Sequence, residues 1–363
     1  MGSTYFFTGF PGFLATSILR QLIQSSIQVE RIYVLVLPSM RRQAEKEIAK
    51  IESTTQFQRI SILQGDLTQP YMNLNDEVQA ILRSQVTHVF HLAAIYDLAV
   101  SKEIAYRVNV KGTNHVNQWV RSLPRLVRYV YFSTAYVSGT RSGRIFETEL
   151  AMNQTFKNDY EQTKYEAELL VQELAKQAPT TIIRPGIVRG HSVTGETTKF
   201  DGPYFMLNFF DRLRFLPFIP YLGRGEAEGN FVPVDYIIEA TLYLAHSEKG
   251  VGKTYHLTDP HPEPMKEVYQ VVMKNYIKKE PVGTIPIPLA KGFLSIPMIR
   301  KWLRVEKEAL DYFNCLAQYD CTQAQTDLKD SGIICPSFKE TLTEMIQFYD
   351  KNKNDENKHI QIN

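Results

Sequence analysis

Short apolar runs alternate with amphipathic stretches along the first half of the chain. Thr4–Thr8, Arg31–Leu37, Ile60–Gln64, His88–His91, Val127–Ser133 and Thr180–Arg184 are rich in β-branched and aromatic residues and apolar on both sides. That is the pattern of strands buried on both faces. Between the first two, Phe13–Ser25 places Leu14, Ile18, Leu19, Leu22 and Ile23 on one side of a helix. Asn109–Ser122 and Tyr160–Lys176 predict further helices. Strands alternating with helices predict an α/β fold, a doubly wound parallel sheet of the Rossmann kind.

The texture changes near residue 190. Gly and Pro become frequent, and two stretches, Tyr204–Tyr221 and Ile285–Trp302, are strongly apolar and aromatic. Val232-Pro233-Val234-Asp235 opens another helix with Asp235 as its expected N-cap. Thr254–Leu257 predicts one more strand returning to the sheet, and the Lys/Asn/Asp/Glu-rich tail from Lys351 is expected to fray. The expected division is a dinucleotide-binding domain over 1–190, with a return segment near 230–260, and a smaller, mostly helical substrate-binding lobe over 191–363.

Composition narrows the class without choosing a chemistry. The 363 residues are 44% hydrophobic and 22% charged, with a formal net charge of +2. That balance suits a globular chain and gives no electrostatic argument for nucleic acid. Cys315, Cys321 and Cys335 form no CxxC pair or Cys/His cluster, so no metal site is expected. The start of the chain carries no basic region or cleavage site before Tyr5-Phe6-Phe7, and Phe6 stands where myristoylation would need Ser or Thr. No apolar run reaches membrane-spanning length. A cytoplasmic protein is expected.

The segment Thr8-Gly9-Phe10-Pro11-Gly12-Phe13-Leu14-Ala15 joins a strand to a helix. Gly9 permits a tight turn, Gly12 lets backbone approach a pyrophosphate, and Ala15 lets the helix pack closely on the strand. Free N–H groups at the helix start would then hold the phosphates of a nicotinamide dinucleotide. At the end of the second strand, Leu35-Val36-Leu37-Pro38-Ser39-Met40-Arg41-Arg42 has no acid to bond ribose hydroxyls. Ser39, Arg41 and Arg42 could instead hold a 2′-phosphate, which favours NADPH and leaves NADH open. The competing reading places both arginines on a solvated helix face.

Tyr160 and Lys164 are spaced to share a helix face, where a cation would lower the phenol pKa and fit it for general acid work. Thr134, within Phe132-Ser133-Thr134-Ala135-Tyr136-Val137-Ser138-Gly139, follows a strand end, where its hydroxyl could bond a developing oxyanion. Alone, it would be a loop hydroxyl bonded to backbone.

With these residues in hand, the chain resembles the extended short-chain dehydrogenase/reductase family from Thr8 to about Tyr349. The match rests on the glycine turn, Tyr160 and Lys164, Gly65-Asp66-Leu67, His91-Leu92-Ala93-Ala94, Asn109-Val110-Lys111-Gly112-Thr113, Arg184-Pro185-Gly186 and Val232-Pro233-Val234-Asp235. The resemblance implies that Asp66 and Leu67 lie by the adenine and that Ala93, Ala94 and Asn109 line the cofactor. It also implies that Pro185, Gly186, Ile187 and Val188 face the nicotinamide, with Thr134, Tyr160 and Lys164 catalytic. Within the family it looks most like the fatty acyl-CoA reductase and thioester reductase branch, through Gly65-Asp66-Leu67-Thr68-Gln69-Pro70 ending in Leu74, and Arg184-Pro185-Gly186-Ile187-Val188. Three positions depart from the pattern: Ala15 replaces a glycine, Leu37 stands where the branch often has arginine, and Asn73 replaces a glycine before Leu74. No adenylation or carrier domain is recognisable in this sequence.

The expected activity is hydride transfer from NADPH to the carbonyl of an apolar acyl thioester or long-chain aldehyde, with the aromatic late segments as walls for a greasy ligand. Ordinary core helices are the competing reading of those segments. Arg212, Arg214, Arg300, Lys301 and Arg304 flank apolar residues there, so peripheral membrane contact is a further reading. A homodimer is left open. Alternatives are a reductase or dehydrogenase of small carbonyls or alcohols, a nucleotide-sugar epimerase or dehydratase, and a non-catalytic cofactor sensor.

Overall fold

A computed structural model describes residues 2–96, 101–360 and 362. Seven strands form its main sheet: β1 (Ser3–Thr8), β2 (Val29–Val36), β3 (Ile60–Gln64), β4 (His88–His91), β5 (Arg128–Phe132), β6 (Thr180–Pro185) and β7 (Lys253–Leu257). Their order is β7-β6-β5-β4-β1-β2-β3 and every pairing is parallel. The order reverses at β1, whose two neighbours are β2 and β4, so a crevice opens beyond the carboxyl ends of β1 and β4.

Alternation along each strand feeds two cores. Tyr5, Phe7, Val34, Val36, Phe90 and Phe132 pack on one face with α1 (Phe13–Gln24), α2 (Arg41–Thr55) and a later helix, Val234–His246. Phe6, Tyr33, Leu35, Val89, Tyr129 and Tyr131 pack on the other face with α3 (Asp76–Gln85), α4 (Thr113–Arg121) and α5 (Asp159–Ala175). A doubly wound sheet requires this burial on both sides. The helix expected over Asn109–Ser122 starts earlier, with Tyr106–Gly112 wound as a π-helix ahead of α4.

A third core lies beyond the strand ends. It is built by α6 (Tyr204–Leu213), α8 (Met265–Ile277), α9 (Ile287–Leu294), α10 (Pro297–Leu303) and α11 (Leu342–Asn352). The intervening α7 is the Val234–His246 helix of the sheet layer. Two expectations change here. Asp235 lies inside the first turn of α7, after Pro233 at the cap position, and its carboxylate instead accepts bonds from Ser192 N at 2.8 Å and Ser192 Oγ at 2.5 Å. The tail from Lys351 does not fray immediately: Lys353 bridges to Asp211 at 2.9 Å, and Phe200 N donates to Lys358 O at 2.7 Å.

Candidate active site

The first turn of the site is fixed by backbone. Gly9 has φ +87°, and a Cβ there would lie 2.8 Å from Ala93 N. A Cβ on Gly12 would lie 2.6 Å from Gly9 O, the oxygen that accepts a bond from Gly12 N at 2.7 Å. Only glycine fits either position. No side chain caps the start of α1, and its first turn holds no acid. Its free N–H groups therefore keep their positive pole for an outside anion.

That helix end opens into a cavity of about 1770 Å³. Thr8, Gly9, Phe10, Pro11, Gly12, Phe13 and Leu14 line its near end, Asp66 and Leu67 flank one side, and Ala93 and Ala94 flank the other. Pro185, Gly186, Ile187 and Val188 line the middle with Thr134, Tyr160 and Lys164. The donor-rich, acid-free helix end and the glycine cradle fit the pyrophosphate of a dinucleotide.

Four expected cofactor residues do not line this cavity. Ser39, Arg41 and Arg42 are exposed, and Arg41 Nε bonds Glu45 at 2.8 Å. Leu37, Met40 and Gln43 line the wall at that end instead, because the chain turns through Pro38–Met40 and points the arginines outward from α2. Asn109 is fully buried and acts as a brace. Its Oδ1 accepts from Ile95 N at 2.9 Å, and its Nδ2 donates to Ile95 O at 3.1 Å and Thr163 Oγ1 at 3.0 Å. It ties the loop after Ala94 to the helix carrying Tyr160.

His91 is held at the β4 end between Thr8 Oγ1, at 2.6 Å, and Thr113 Oγ1, at 3.0 Å. Burial, with the Lys164 charge adding to it, pushes its pKa down to about 3, so the ring is neutral. It anchors the strand end.

The residues expected to transfer a proton are arranged differently from expectation. The Thr134 hydroxyl accepts from Tyr136 N at 3.3 Å and also hydrogen-bonds the Tyr160 phenol. Lys164 is buried, and its Nζ donates to Tyr131 Oη at 3.0 Å and to Phe132 O at 2.6 Å. These bonds hold the ammonium at the end of β5. Burial first, then the Glu161 carboxylate, pushes the Tyr160 phenol up, and the Thr134 bond opposes them. Burial also pulls Lys164 down to about 7, against the pull of Glu168.

Glu168 was missed from the sequence, although 160, 164 and 168 share one face of α5. Its carboxylate accepts from Ser133 Oγ and from Arg184, at 2.9 Å (Nε) and 2.6 Å (Nη2). Both Glu168 and Arg184 are buried. This buried pair ties the residues before Thr134 and Pro185 to the helix that carries Tyr160. Asn230 was missed as well: it lines the cavity, its backbone O accepts from Ile187 N at 2.9 Å, and its buried Nδ2 has no partner among the described residues.

Past Tyr160 the cavity runs into the third core. Phe205, Phe209, Leu213, Met265, Ile285, Phe293, Ile299 and Trp302 line it there. The aromatic stretches therefore serve as core and as cavity wall together. Three carboxyls, Asp201, Glu228 and Glu306, also line the cavity, and burial pushes the first two up, Asp201 to about 6.

Residues 7–241 match the NAD-binding family described as Male sterility protein. The chain is 26% identical over 281 residues to the non-canonical nonribosomal peptide synthetase cpsA of Aspergillus campestris, covering 72% of this chain and 26% of that protein. It is 26% identical over 285 residues to fatty acyl-CoA reductase 1 of Gallus gallus, covering 67% of this chain and 54% of that protein. The chain thus spans about a quarter and about half of these relatives' lengths. The terminal R domain from the myxalamid PKS-NRPS biosynthetic pathway has the same fold, with a TM-score of 0.82 at 24% identity over 97% of this chain and 91% of that one. The glycine cradle, the strand order and the family match converge on one conclusion: the chain belongs to the NAD-binding Male sterility protein family.

Proposed function

We propose that the protein is an NADPH-dependent reductase of apolar acyl thioesters or long-chain aldehydes. The observation that carries this reading is one continuous cavity, with the anion-binding end of α1 at one extremity, Thr134 and Tyr160 midway, and an apolar chamber beyond. At about 1770 Å³ it exceeds the roughly 300–1,000 Å³ that holds one drug-sized ligand, which leaves room for a dinucleotide and a second molecule.

A bound nicotinamide cofactor would supply the hydride. The chain's own residues do the rest. The free N–H groups of α1 hold the phosphates, and Pro185–Val188 with Asn230 wall the ring's expected position. Thr134 and Tyr160 bond the carbonyl oxygen, and the protonated phenol gives up its proton as negative charge develops there. The raised phenol pKa keeps that proton in place at neutral pH. From a thioester the product is a thiol and an aldehyde; from an aldehyde it is an alcohol. The absence of an acid at the end of β2 supports NADPH, with Arg41 and Arg42 close to that strand end and able to swing towards a 2′-phosphate.

An epimerase reading needs polar groups that bind a nucleoside diphosphate; the chamber walls beyond Tyr160 are mainly apolar, and the carboxyls among them, Asp201, Glu228 and Glu306, would repel its phosphates. The test is cofactor absorbance with NADPH or NADH against acyl-CoAs and aliphatic aldehydes of graded length. Oxidation of NADPH that accelerates with chain length is the expected result. Tight cofactor binding without turnover on any of them overturns the proposal.

A further inference from the structure

The far end of the chamber reaches the surface, where several large apolar side chains are exposed on adjoining segments. Phe215 and Phe218, on the turn after α6, are 69% and 66% exposed, and Met298, on α10, is 81% exposed. α10 packs on α6, and Val282, also exposed, donates its N–H to Ile219 O at 3.0 Å. The four side chains therefore belong to adjoining segments. Phe293 and Trp302 are half exposed and also line the cavity, so they form its rim at this end. Isolated exposed apolar residues are ordinary, whereas a group of them around a cavity mouth marks an interaction surface.

Charge selects the partner. The stretches 212–222 and 285–305 hold six Lys and Arg residues and no Asp or Glu. Arg212, Arg300 and Lys301 make no ion pair among the described residues. Acids adjoining these segments are engaged or buried: Asp211 pairs with Lys353, Glu308 with Lys307, Asp311 with Lys291, Glu356 with Arg304 and Glu280 with Lys274, and Glu306 is buried. A net cationic face with protruding Phe, Met and Trp side chains matches an anionic lipid surface, where rings enter the acyl boundary and bases meet headgroups. Among the described residues no helix is long and apolar enough to cross a membrane, so the contact is with the surface.

We propose that this face, carried by the 214–218 turn, α9 and α10, docks on an anionic bilayer and brings the chamber mouth against it. The docking stands apart from the reductase reading; only passage of an acyl chain from bilayer to chamber rests on that reading.

Flotation with phosphatidylcholine vesicles, with and without phosphatidylglycerol, tests it without cofactor or substrate. The chain should float with the mixed vesicles at low salt and be released at high salt. Lys301→Glu should weaken binding by about fivefold or more, on the scale of roughly one charge contact. Met298→Glu and Phe215→Ser should weaken it at least as much while keeping the wild-type melting temperature. Neither Met298, Phe215 nor Lys301 lines the cavity, so turnover of a soluble short aldehyde should be unchanged in all three. Binding equal on both vesicle types, or unaltered by Met298→Glu, overturns the proposal. So does a vesicle-free dimer that Met298→Glu converts to monomer, which would assign the face to a second copy.

Discussion

The Lys164 ammonium donates to the carbonyl oxygen of Phe132 at 2.6 Å, which commits it to the end of β5. Its buried position, with a pKa pulled to about 7, couples folding to pH. An unfolded lysine binds its proton up to about pH 10.4, so between roughly 7 and 10 the unfolded chain holds more protons than the folded one. Stability from this group therefore rises with pH across that window. Urea midpoints of wild type and Lys164→Met, measured at pH 7 and pH 9.5, should diverge in favour of wild type as pH rises. A constant difference contradicts the assigned titration.

Tyr160→Phe removes the proposed proton donor and leaves the glycine cradle intact. Turnover should fall by about 10²–10⁴, the range for a lost general acid. NADPH affinity, read by fluorescence titration, should change little. Turnover within a few-fold of wild type removes Tyr160 from the proposed chemistry.

At the other end of the cavity, Gly9→Ala forces a Cβ to within 2.8 Å of Ala93 N at a positive φ. The strain is worth about 1–3 kcal/mol. It falls on the loop that must approach the phosphates, so weaker NADPH binding and a lower melting temperature are expected together. A variant with wild-type cofactor affinity refutes the cradle.

Cofactor choice is separable from cofactor binding. Arg42→Glu places an acid near the end of β2 without touching the cavity wall. The ratio of kcat/KM for NADPH over NADH should drop by about tenfold or more, the scale of a lost charge-assisted phosphate bond. An unaltered ratio places the 2′-phosphate, or its absence, elsewhere.

Glu168 and Arg184 share a buried ion pair, so removing one partner strands the other. Glu168→Leu should cost about 3–5 kcal/mol, and adding Arg184→Met should recover much of that loss. Urea denaturation of the single and double variants checks this. A double variant no more stable than the single one points to a role for Arg184 beyond neutralising Glu168.

The sheet was legible because its strands are apolar on both faces and each ends at a turn residue or a helix start. The glycine turn was legible for the same reason: Gly9 and Gly12 answer to backbone geometry, which local sequence encodes. Long-range placement was less so. Ser39, Arg41 and Arg42 lie at the expected point in the chain, but the Pro38–Met40 turn decides where their side chains point. Asn109 carries the right motif, yet it is spent on Ile95 and Thr163. The Tyr160–Lys164 spacing gave a shared face and said nothing of Phe132 O, which competes for the ammonium. Asp235 looked like a cap because the sequence does not reveal Ser192 across the fold. Glu168 alone had a local signal, the third polar position on one helical face.

The apolar chamber rests on a core of its own, distinct from the two that clasp the sheet. Side chains such as Phe209, Met265 or Ile299 can therefore be exchanged without disturbing the packing beneath Gly9 or Tyr160. Lineages carrying this fold are free to retune which molecules they accept while the cofactor machinery stays fixed. Substitutions found among relatives should accordingly cluster in the chamber walls, making substrate choice the most readily evolved property of the molecule.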